Sequence, residues 1–316
     1  MLSRGTRLVS TFEELGGRVQ YLRRLVDKED KSWSAFNPSI GISETGLLAV
    51  AIRSSNYVVL PHGELSVTSG AKIRNRVWFA ELSDKFELKN LRQIDFSRCG
   101  RDFPRGIEDP KLLWRDKQWV ITGVAMETDI PKARNCICYL DKKAEYVTRV
   151  DIIPGYETLR PEKNWMTAYK KPKNFDYVYD GNGIVRGDEV IHRLNDNKHL
   201  SALRGNAHLW ELDDGTYLGV MHTLTVTKSK EYIPSRFMTV DNVQKCYHHR
   251  FVRFNNDGWA IATSPPFIFI SEGIEFAAGI VAKDDEYVIS FGKDDVSSHL
   301  AFIDKSKVHA MMKSVI

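Results

Sequence analysis

The sequence predicts an all-β protein, a five-bladed β-propeller with an N-terminal helix. A short polar motif, an apolar strand, a charged or glycine-bearing turn and a second apolar strand occur in that order five times along the 316 residues. Each such unit predicts a β-hairpin. Their repetition at intervals of roughly 40 to 70 residues predicts blades arranged around a central channel. A β-sandwich with incidental polar turns is the alternative for the same pattern.

The N-terminal helix is predicted over residues 11–30. Thr11 and Glu14 have the spacing of a capping box, and apolar residues at positions 15, 19, 22 and 26 approximate one helical face. Two consecutive glycines weaken the first half of this helix. We expect residues 1–33 to form a helical extension and residues 34–316 to form a single catalytic propeller domain.

The five units begin with polar motifs that are far apart in sequence. In order they are FNPSIGI–SETG–LLAVAIR, IEDPKLLW–RDKQ–WVITGVAM, EKNWMTAY–KKPKN–FDYVYDG, RGNAHLWEL–DDG–TYLGVMHT and GIEFAAGIV–AKDDE–YVISFGKDD. The first strand of a propeller blade lines the channel, so residues at its start project into the central funnel. The motifs therefore bring together Asn37, Asp109, Asn164, Asn206 and Glu275. Segments 63–71 and 228–234 are predicted to be long loops over this funnel, where specificity usually resides.

The composition is ordinary for a globular protein, with 42% hydrophobic and 27% charged residues. The net charge of +4 comes from scattered basic residues, which suits an anionic ligand without indicating a dedicated nucleic-acid binder. The N-terminus lacks the apolar core of a signal peptide, and no apolar run reaches about 18 residues. We expect a cytoplasmic protein that does not engage a membrane. Motifs for nucleotide hydrolysis, nicotinamide binding, serine hydrolysis and zinc proteolysis are absent from the sequence.

Paired carboxylates, Glu108 and Asp109, open the second unit. Such a pair can act as general acid or base, or hold sugar hydroxyls by charge-assisted hydrogen bonds. A simple turn before Pro110 is the alternative, but polar residues at the equivalent place in the other four units favour a shared site. We expect Asp109 to be the acid/base and Glu108 to position the substrate. Glu275 and Asp295, near the two ends of the last unit, supply further carboxylates, and glycoside chemistry commonly needs two of them.

Basic side chains lie in or beside the same motifs and suit a phosphate or the diphosphate of a nucleotide sugar. They are Arg53, Lys163, Arg204 and His222. Tyr247 begins a Tyr-His-His cluster whose spacing is not that of a metal-binding helix. We therefore predict no metal and no cofactor, with a sugar phosphate or a nucleotide sugar as co-substrate.

Several motifs resemble a known family in the right order: FNPSI with AIRSSNY, GIEDPKL, EKNWM, LRGNAHLW, and EGIEFAAGIV with ISFGKDD. They resemble five-bladed-propeller carbohydrate-active enzymes, namely the mannoside phosphorylases of glycoside hydrolase family 130, the related β-1,2-mannosyltransferases and other propeller glycosyltransferases. The resemblance extends over residues 36–304. It implies the propeller fold and a reaction at a glycosidic bond.

The resemblance also implies roles for single residues. Asp109 matches the family's proton donor, which acts through a substrate hydroxyl, and Glu275 and Asp295 match residues that hold sugar hydroxyls. The phosphate site of the family is matched by Arg53, Lys163, His222 and Tyr247. The chain departs from the family pattern at Arg204-Gly205-Asn206, which replaces an Arg-Gly-Gly stretch, and at Met166-Thr167, where a proline is expected.

Three functions are compatible with the sequence. The first is a glycosyltransferase that moves a sugar from a phosphorylated or nucleotide-linked donor to an intracellular acceptor: a small sugar, a glycan precursor or a hydroxylated DNA base. The second is a glycoside phosphorylase or hydrolase of the family 130 type. The third is a non-catalytic propeller that serves as a binding module.

Overall fold

The computed structural model of the chain describes residues 9–22, 32–60, 64–70, 72–101, 103–125, 134–153, 164–168, 172–187, 189–193, 198–233 and 238–315. Strands dominate these ranges, which confirms the predicted all-β class. The strands, in chain order, are β1 (Ser10–Thr11), β2 (Arg18–Leu22), β3 (Ser34–Ile42), β4 (Leu48–Ser55), β5 (Tyr57–Val59), β6 (Leu65–Val67), β7 (Asn75–Leu82), β8 (Leu88–Gln93), β9 (Ile107–Arg115), β10 (Gln118–Ala125), β11 (Arg134–Leu140), β12 (Val147–Ile152), β13 (Tyr177–Asp180), β14 (Gly183–Arg186), β15 (Glu189–His192), β16 (Arg204–Gly205), β17 (Trp210–Glu211), β18 (Tyr217–Ile233), β19 (Met238–Phe254), β20 (Ala260–Thr263), β21 (Phe267–Ile268), β22 (Glu275–Lys283), β23 (Glu286–Lys293), β24 (Ser297–Asp304) and β25 (Lys313–Ser314). Two short helices are α1 (Lys198–Ser201) and α2 (Lys305–Met311).

Three of the five predicted units form antiparallel hairpins in four-stranded sheets. The first unit gives β3 and β4 in the sheet β3-β4-β7-β8, and the second gives β9 and β10 in the sheet β12-β11-β10-β9. The fifth gives β22 and β23 in the sheet β2-β24-β23-β22. Alternating apolar residues and polar turns therefore predicted these hairpins correctly.

The third and fourth units contribute to one larger sheet, which contains β1, β13 to β21 and β25. In the third unit Met166 bridges Val178 of β13. The fourth unit supplies β16 and β17, and both strands pair with β18. The loop predicted over residues 228–234 is wrong for its described part, because β18 continues to Ile233 in unbroken antiparallel register with β19.

The N-terminal helix predicted over residues 11–30 is wrong for residues 11–22, and residues 23–31 lie outside the described ranges. The capping-box contacts do form: Thr11 N–H donates to Glu14 Oε2 at 2.7 Å, and Glu14 N–H donates to Thr11 Oγ1 at 3.3 Å. The chain then turns at Gly16, where φ is 82°, and β2 pairs with β24. Residues 12–16 therefore form a single hydrogen-bonded turn, and the chain joins a sheet at β2 instead of continuing as a helix.

The strands that open the units pack against one another at the centre of the fold. β3 contacts β9 and β22, and β22 also contacts β18 and β19. Buried apolar clusters fill the space between neighbouring sheets; one includes Ile107, Leu112 and Ile121, and another includes Ala277, Ile280 and Ile289. This packing places the starts of β3, β9 and β22 close together. Within the described ranges, none of the helices combines the length and the apolar character required to cross a bilayer.

Candidate active site

Three of the five predicted motif residues have a left-handed backbone. The φ angle is 49° at Asn37, 48° at Asp109 and 67° at Asn164, a region that Asn and Asp tolerate better than most side chains. The pairing of β3 with β4, and of β9 with β10, shifts register in the same neighbourhoods, and such bulges re-aim side chains. Gly292 of β23 leaves room for the first of them, because a Cβ there would lie 2.1 Å from Asn37 Oδ1.

The carboxylate of Asp109 is the centre of the site. Its Oδ1 accepts hydrogen bonds from Arg53 Nη1 at 2.8 Å and from Asn37 Nδ2 at 3.0 Å. The side chain of Arg53 is 6% exposed, whereas that of Asp109 is 18% exposed. The guanidinium is further fixed because Arg53 Nε donates to Asn75 Oδ1 at 2.8 Å. Asp109 is therefore fixed through its Oδ1 and remains partly exposed.

Arg53 is a permanently charged group inside the fold. Its guanidinium lies 5.0 Å from the ring centroid of Phe36 and 5.7 Å from that of Tyr57, a cation–π arrangement. Burial lowers the pKa of Arg53, but the negative charges nearby, above all Asp109 and including the half-buried Glu108, outweigh burial and raise it above its usual value. More than one carboxylate therefore acts on the Arg53 guanidinium.

A second carboxylate, Asp295, lies within the electrostatic reach of this cation. Tyr57 Oη donates a hydrogen bond to Asp295 Oδ2 at 2.8 Å. Burial raises the pKa of Asp295, while the charge of Arg53 and the Tyr57 hydrogen bond act in the opposite direction. Burial also raises the pKa of Tyr57, so its hydroxyl stays protonated and continues to donate. Two carboxylates therefore share the environment of one buried arginine.

A stacked pair of rings, His222 and Tyr247, forms another wall of the site. Their ring centroids are 4.2 Å apart and their planes differ by 16°, and His222 Nδ1 contacts Oδ1 of the fully buried Asn206. Burial, together with the positive charges of His249 and Arg204, lowers the pKa of His222 to about 3. His222 is therefore neutral at physiological pH and suits hydrogen bonding rather than charge pairing with a ligand.

Sequence reasoning missed Lys111, which lies two residues after Asp109. The side chain is buried, and Nζ donates to the carbonyl oxygen of Trp165 at 2.5 Å. Burial lowers the pKa of Lys111 to about 8, although the charge of Asp109 opposes this shift. The strand is bulged between Glu108 and Lys111, so simple alternation from Asp109 does not place Lys111, and no pattern in the sequence signalled it. Asn75 and Tyr57, also missed, likewise carry no signal because they lie outside the repeated motifs.

The charge of Asp109 shows which of these groups lie near one another. The negative charge of Asp109 acts to raise the pKa of four groups on four different strands, although burial outweighs it for two of them. The four groups are Tyr57, Lys111, His222 and Tyr247. Burial is the larger effect on Tyr247, and with the carboxylates of Asp109 and Asp295 it raises the pKa of that phenol to about 12. The structure therefore gathers Asn37, Arg53, Glu108, Asp109, Asn206, His222, Tyr247 and Asp295 around one centre.

Glu275 is placed differently from these residues. Its side chain is fully buried, with Oε2 accepting from Phe269 N–H at 2.6 Å and Oε1 from Ile270 and Ser271 N–H at 2.9 and 3.1 Å. Lys293 Nζ lies 3.7 Å away. Burial raises the pKa of Glu275, and these contacts act in the opposite direction. The carboxylate is thus occupied in holding a loop, and its predicted contact with substrate stays a prediction.

Three further predicted residues lie at the edge of the site or beyond the described ranges. The side chain of Arg204 is 53% exposed, donates to the carbonyl of Ser201 at 2.7 Å and lies 3.9 Å from Asp180. Asn164 is half-buried, and its carbonyl oxygen lies against Gly205, where a Cβ would approach to 2.2 Å. Lys163 lies outside the described residues.

The described side chains of the site include basic groups as well as carboxylates. Within the described ranges no group of three or more His, Cys, Asp or Glu side chains is arranged to hold a metal ion. Arg53 and Lys111 are instead two buried basic groups, each within the electrostatic reach of Asp109. A polar ligand carrying negative charge would complement them.

Buried histidines make the fold sensitive to acid. Burial lowers the pKa of His208, His222 and His249 from 6.5 to about 3. Below pH 6.5 the unfolded chain binds protons that the folded chain does not, so stability falls as pH falls towards 3. Each histidine contributes up to about 1.4 kcal/mol per pH unit. We expect His249→Gln to flatten this slope between pH 6 and 4.5 in urea unfolding, and the exposed His199→Gln to leave it unchanged. An unaltered slope in His249→Gln would contradict this account.

No protein-family model and no curated protein sequence matches the chain. Solved structures do match it over most of its length. A β-1,2-mannobiose phosphorylase from Listeria innocua shares 11% identity, with a TM-score of 0.56 and coverage of 93% of this chain and 99% of that one. A mannose phosphorylase from Leishmania mexicana, in complex with a phosphate ion, shares 13% identity, with a TM-score of 0.53 and coverage of 96% and 93%.

A third structure comes from work on glycoside hydrolases, within the GH130 family of mannoside phosphorylases, that target β-1,2-mannosidic linkages in Candida mannan. It shares 12% identity, with a TM-score of 0.56 and coverage of 96% of this chain and 93% of that one. The chain has the mannoside-phosphorylase fold. This confirms, for the fold, the resemblance that the sequence motifs indicated.

Proposed function

We propose that this chain is a carbohydrate-active enzyme that transfers a glycosyl group between a phosphate-bearing donor and a hydroxyl acceptor. The observation that carries this proposal is the Asp109 carboxylate, whose Oδ1 is held by the buried Arg53 and Asn37 and whose side chain stays partly exposed. A fixed carboxylate beside a desolvated cation is a suitable acid/base next to an anionic group.

In the transfer direction, the bond between the anomeric carbon and the donor's phosphate oxygen breaks, and a bond from that carbon to the acceptor oxygen forms. The acceptor hydroxyl gives its proton to Asp109, directly or through a sugar hydroxyl. The phosphate group leaves with the electron pair of the broken bond. The reverse reaction is phosphorolysis, in which Asp109 returns the proton to the departing sugar oxygen. One set of residues therefore serves both directions.

The phosphate-bearing group is supported by the buried basic groups of the site. Arg53 is fixed and charged, and Lys111, with a pKa of about 8, is largely protonated at neutral pH. The neutral His222 and the phenol of Tyr247 add hydrogen-bonding capacity along the opposite wall. Among the structures of the same fold, one phosphorylase is described in complex with a phosphate ion, which supports a phosphate-bearing ligand for this fold.

Phosphorolysis of a mannoside is the second candidate, and it is favoured by the structures of the same fold that are described as mannoside phosphorylases. The two candidates differ in the physiological direction and in the donor. A donor that is a sugar 1-phosphate fits both. A nucleotide-linked donor fits only transfer. Acceptors to be distinguished are a small sugar, a glycan precursor and a hydroxylated DNA base.

The proposal is tested by incubating the full-length protein with a panel of sugar 1-phosphates and nucleotide sugars. Each donor is paired with manno-oligosaccharides or with hydroxymethylated DNA, and products are read by mass spectrometry. A parallel set contains β-mannobiose with and without inorganic phosphate. We expect a glycosylated acceptor together with released phosphate or nucleotide, or sugar 1-phosphate formed only when phosphate is added. Turnover of β-mannobiose in water alone would overturn the role of phosphate, and binding without any turnover would overturn catalysis.

A further inference from the structure

A cavity of about 650 Å³ opens beside the active site, between the start of β7 and the segment that leads into β9. We call it the arginine cleft, and its lining includes Trp33, Arg74, Arg76, Phe96, Arg101 and Phe103. Its volume lies within the range typical of small-molecule sites. None of the predicted site residues lines this cleft, so it is a separate feature of the molecule.

Asn75 connects the cleft to the active site, because it lines the cleft and also accepts the hydrogen bond from Arg53 Nε. Asn75 in turn donates through both its backbone N–H and its Nδ2 to the carbonyl of Arg105, at 2.9 and 2.8 Å. Gly106, with φ of 69°, packs on Asn75 so closely that a Cβ would lie 2.2 Å from its carbonyl oxygen. A ligand in the cleft is therefore one residue away from the group that holds Asp109.

The cleft carries an excess of positive charge. Arg74 and Arg101 are exposed and Arg76 is half-buried. The opposing carboxylate, Asp95, is engaged by the N–H and hydroxyl of Ser97 at 2.7 and 2.9 Å. Among the described residues that line the cleft, three arginines accompany one carboxylate. This set favours a ligand with more than one negative charge, and planar guanidinium groups match phosphate oxygens in pairs.

Flat surfaces accompany this charge. The guanidinium of Arg76 lies over the ring of Trp33 at 3.9 Å, and Phe96 and Phe103 form an edge-to-face pair with centroids 6.3 Å apart. Guanidinium planes and aromatic rings are the surfaces on which nucleobases stack. The same cleft therefore offers surfaces for a planar base and donors for phosphate oxygens.

We propose that the arginine cleft binds a nucleotide, with its base against the aromatic and guanidinium planes and its phosphates on the arginines. This rests on the proposed function, because the cleft then seats the nucleotide part of the co-substrate whose sugar reacts at Asp109. The nucleotide comes either from a nucleoside diphosphate sugar or from a strand of nucleic acid. Both sources present the same base and phosphate to the cleft.

The test measures binding by isothermal titration calorimetry on the full-length protein. The probes are UDP, GDP, ADP, a short single-stranded oligonucleotide and inorganic phosphate. We expect at least one nucleotide probe to bind, and Arg76→Ala and Arg101→Ala each to weaken that binding by about 10-fold to 100-fold, the range for loss of one charge-assisted contact. Arg98→Ala is the matched control, since Arg98 is exposed and stacks on Tyr146 in the same segment without lining the cleft.

The outcomes distinguish the two sources of the nucleotide and show which of the two proposals fails. Tight binding of a diphosphate over the oligonucleotide assigns the cleft to a sugar donor, and the reverse assigns it to a nucleic acid. The inference is overturned if none of the nucleotide probes binds. It is also overturned if Arg76→Ala and Arg101→Ala weaken the binding of nucleotide and of inorganic phosphate to the same degree. Asp109→Asn separates the two proposals, because it should lower turnover by about 10²- to 10⁴-fold and keep nucleotide binding. If the protein turns over substrate but binds no nucleotide, only the proposal for the arginine cleft is refuted. If nucleotide binds and Asp109→Asn keeps full turnover, only the acid/base role of Asp109 is refuted.

Discussion

Replacing Asp109 by Asn lowers turnover by about 10²- to 10⁴-fold, the usual loss when a general acid/base is removed. The amide keeps an acceptor for Arg53 and for Asn37, which now bond Oδ1 at 2.8 and 3.0 Å. Asn also tolerates the left-handed backbone at this position, where φ is 48°. The substitution therefore removes proton transfer and leaves the geometry of the site. Steady-state kinetics with the donor and acceptor found in the panel should show the loss in kcat, with a smaller change in KM.

Asp116→Asn is the matched control for this substitution. Asp116 lies in the turn of the same hairpin, is exposed and has a left-handed backbone with φ of 51°, so the two variants make the same chemical change in similar backbone. We expect its kcat to equal that of the unaltered protein. If Asp109→Asn also keeps full activity while the protein is folded, Asp109 is not the acid/base, and the non-catalytic binding module becomes the better account.

The sequence predicted the parts of the fold that depend on local pattern. FNPSIGI and LLAVAIR alternate around a short polar turn, and they pair as β3 and β4. The same holds for the units that contain Asp109 and Glu275. A strand period of two residues and a polar turn are properties of a few consecutive residues, so they can be read without knowing the rest of the chain.

Features that depend on distant partners were not predicted. The contacts of the Thr11 capping box form, but the chain leaves the turn because β2 completes a sheet with β24, whose paired residues lie 276 to 284 positions away in sequence. In the sequence Lys111 is an ordinary strand lysine, and the contact that distinguishes it is the hydrogen bond from its Nζ to the carbonyl oxygen of Trp165. In each case the deciding contact joins segments whose pairing no local pattern specifies.

The candidate site shows the same division. The recurring motif led to Asp109 and Arg53, which the structure places 2.8 Å apart. It did not reveal that Asn37 and Asp109 share a left-handed backbone, although Asn and Asp are residues that this conformation favours. The repeated choice of these two residue types therefore has a conformational cause as well as a chemical one. A similar motif position is not by itself evidence of contact with substrate.

Replacing Glu275 by Gln tests whether this motif residue has a structural or a chemical role. The substitution is expected to lower the free energy of unfolding by about 3 kcal/mol, the cost of removing one partner from a buried charged network. The carboxylate accepts three backbone N–H groups from residues 269–271 and lies 3.7 Å from Lys293 Nζ. Gln has the same shape but turns an N–H₂ group towards these donors, so at least one of them loses its acceptor. Urea unfolding measures the loss.

Glu272→Gln is the control, because Glu272 is exposed three residues earlier and its side chain takes no part in this network. We expect its stability to stay within about 0.5 kcal/mol of the unaltered protein. Turnover per folded molecule should fall far less in Glu275→Gln than in Asp109→Asn, since the Glu275 carboxylate holds a loop. The opposite pattern, with stability unchanged and kcat or KM strongly altered, would instead place Glu275 on the substrate, as its motif position predicted.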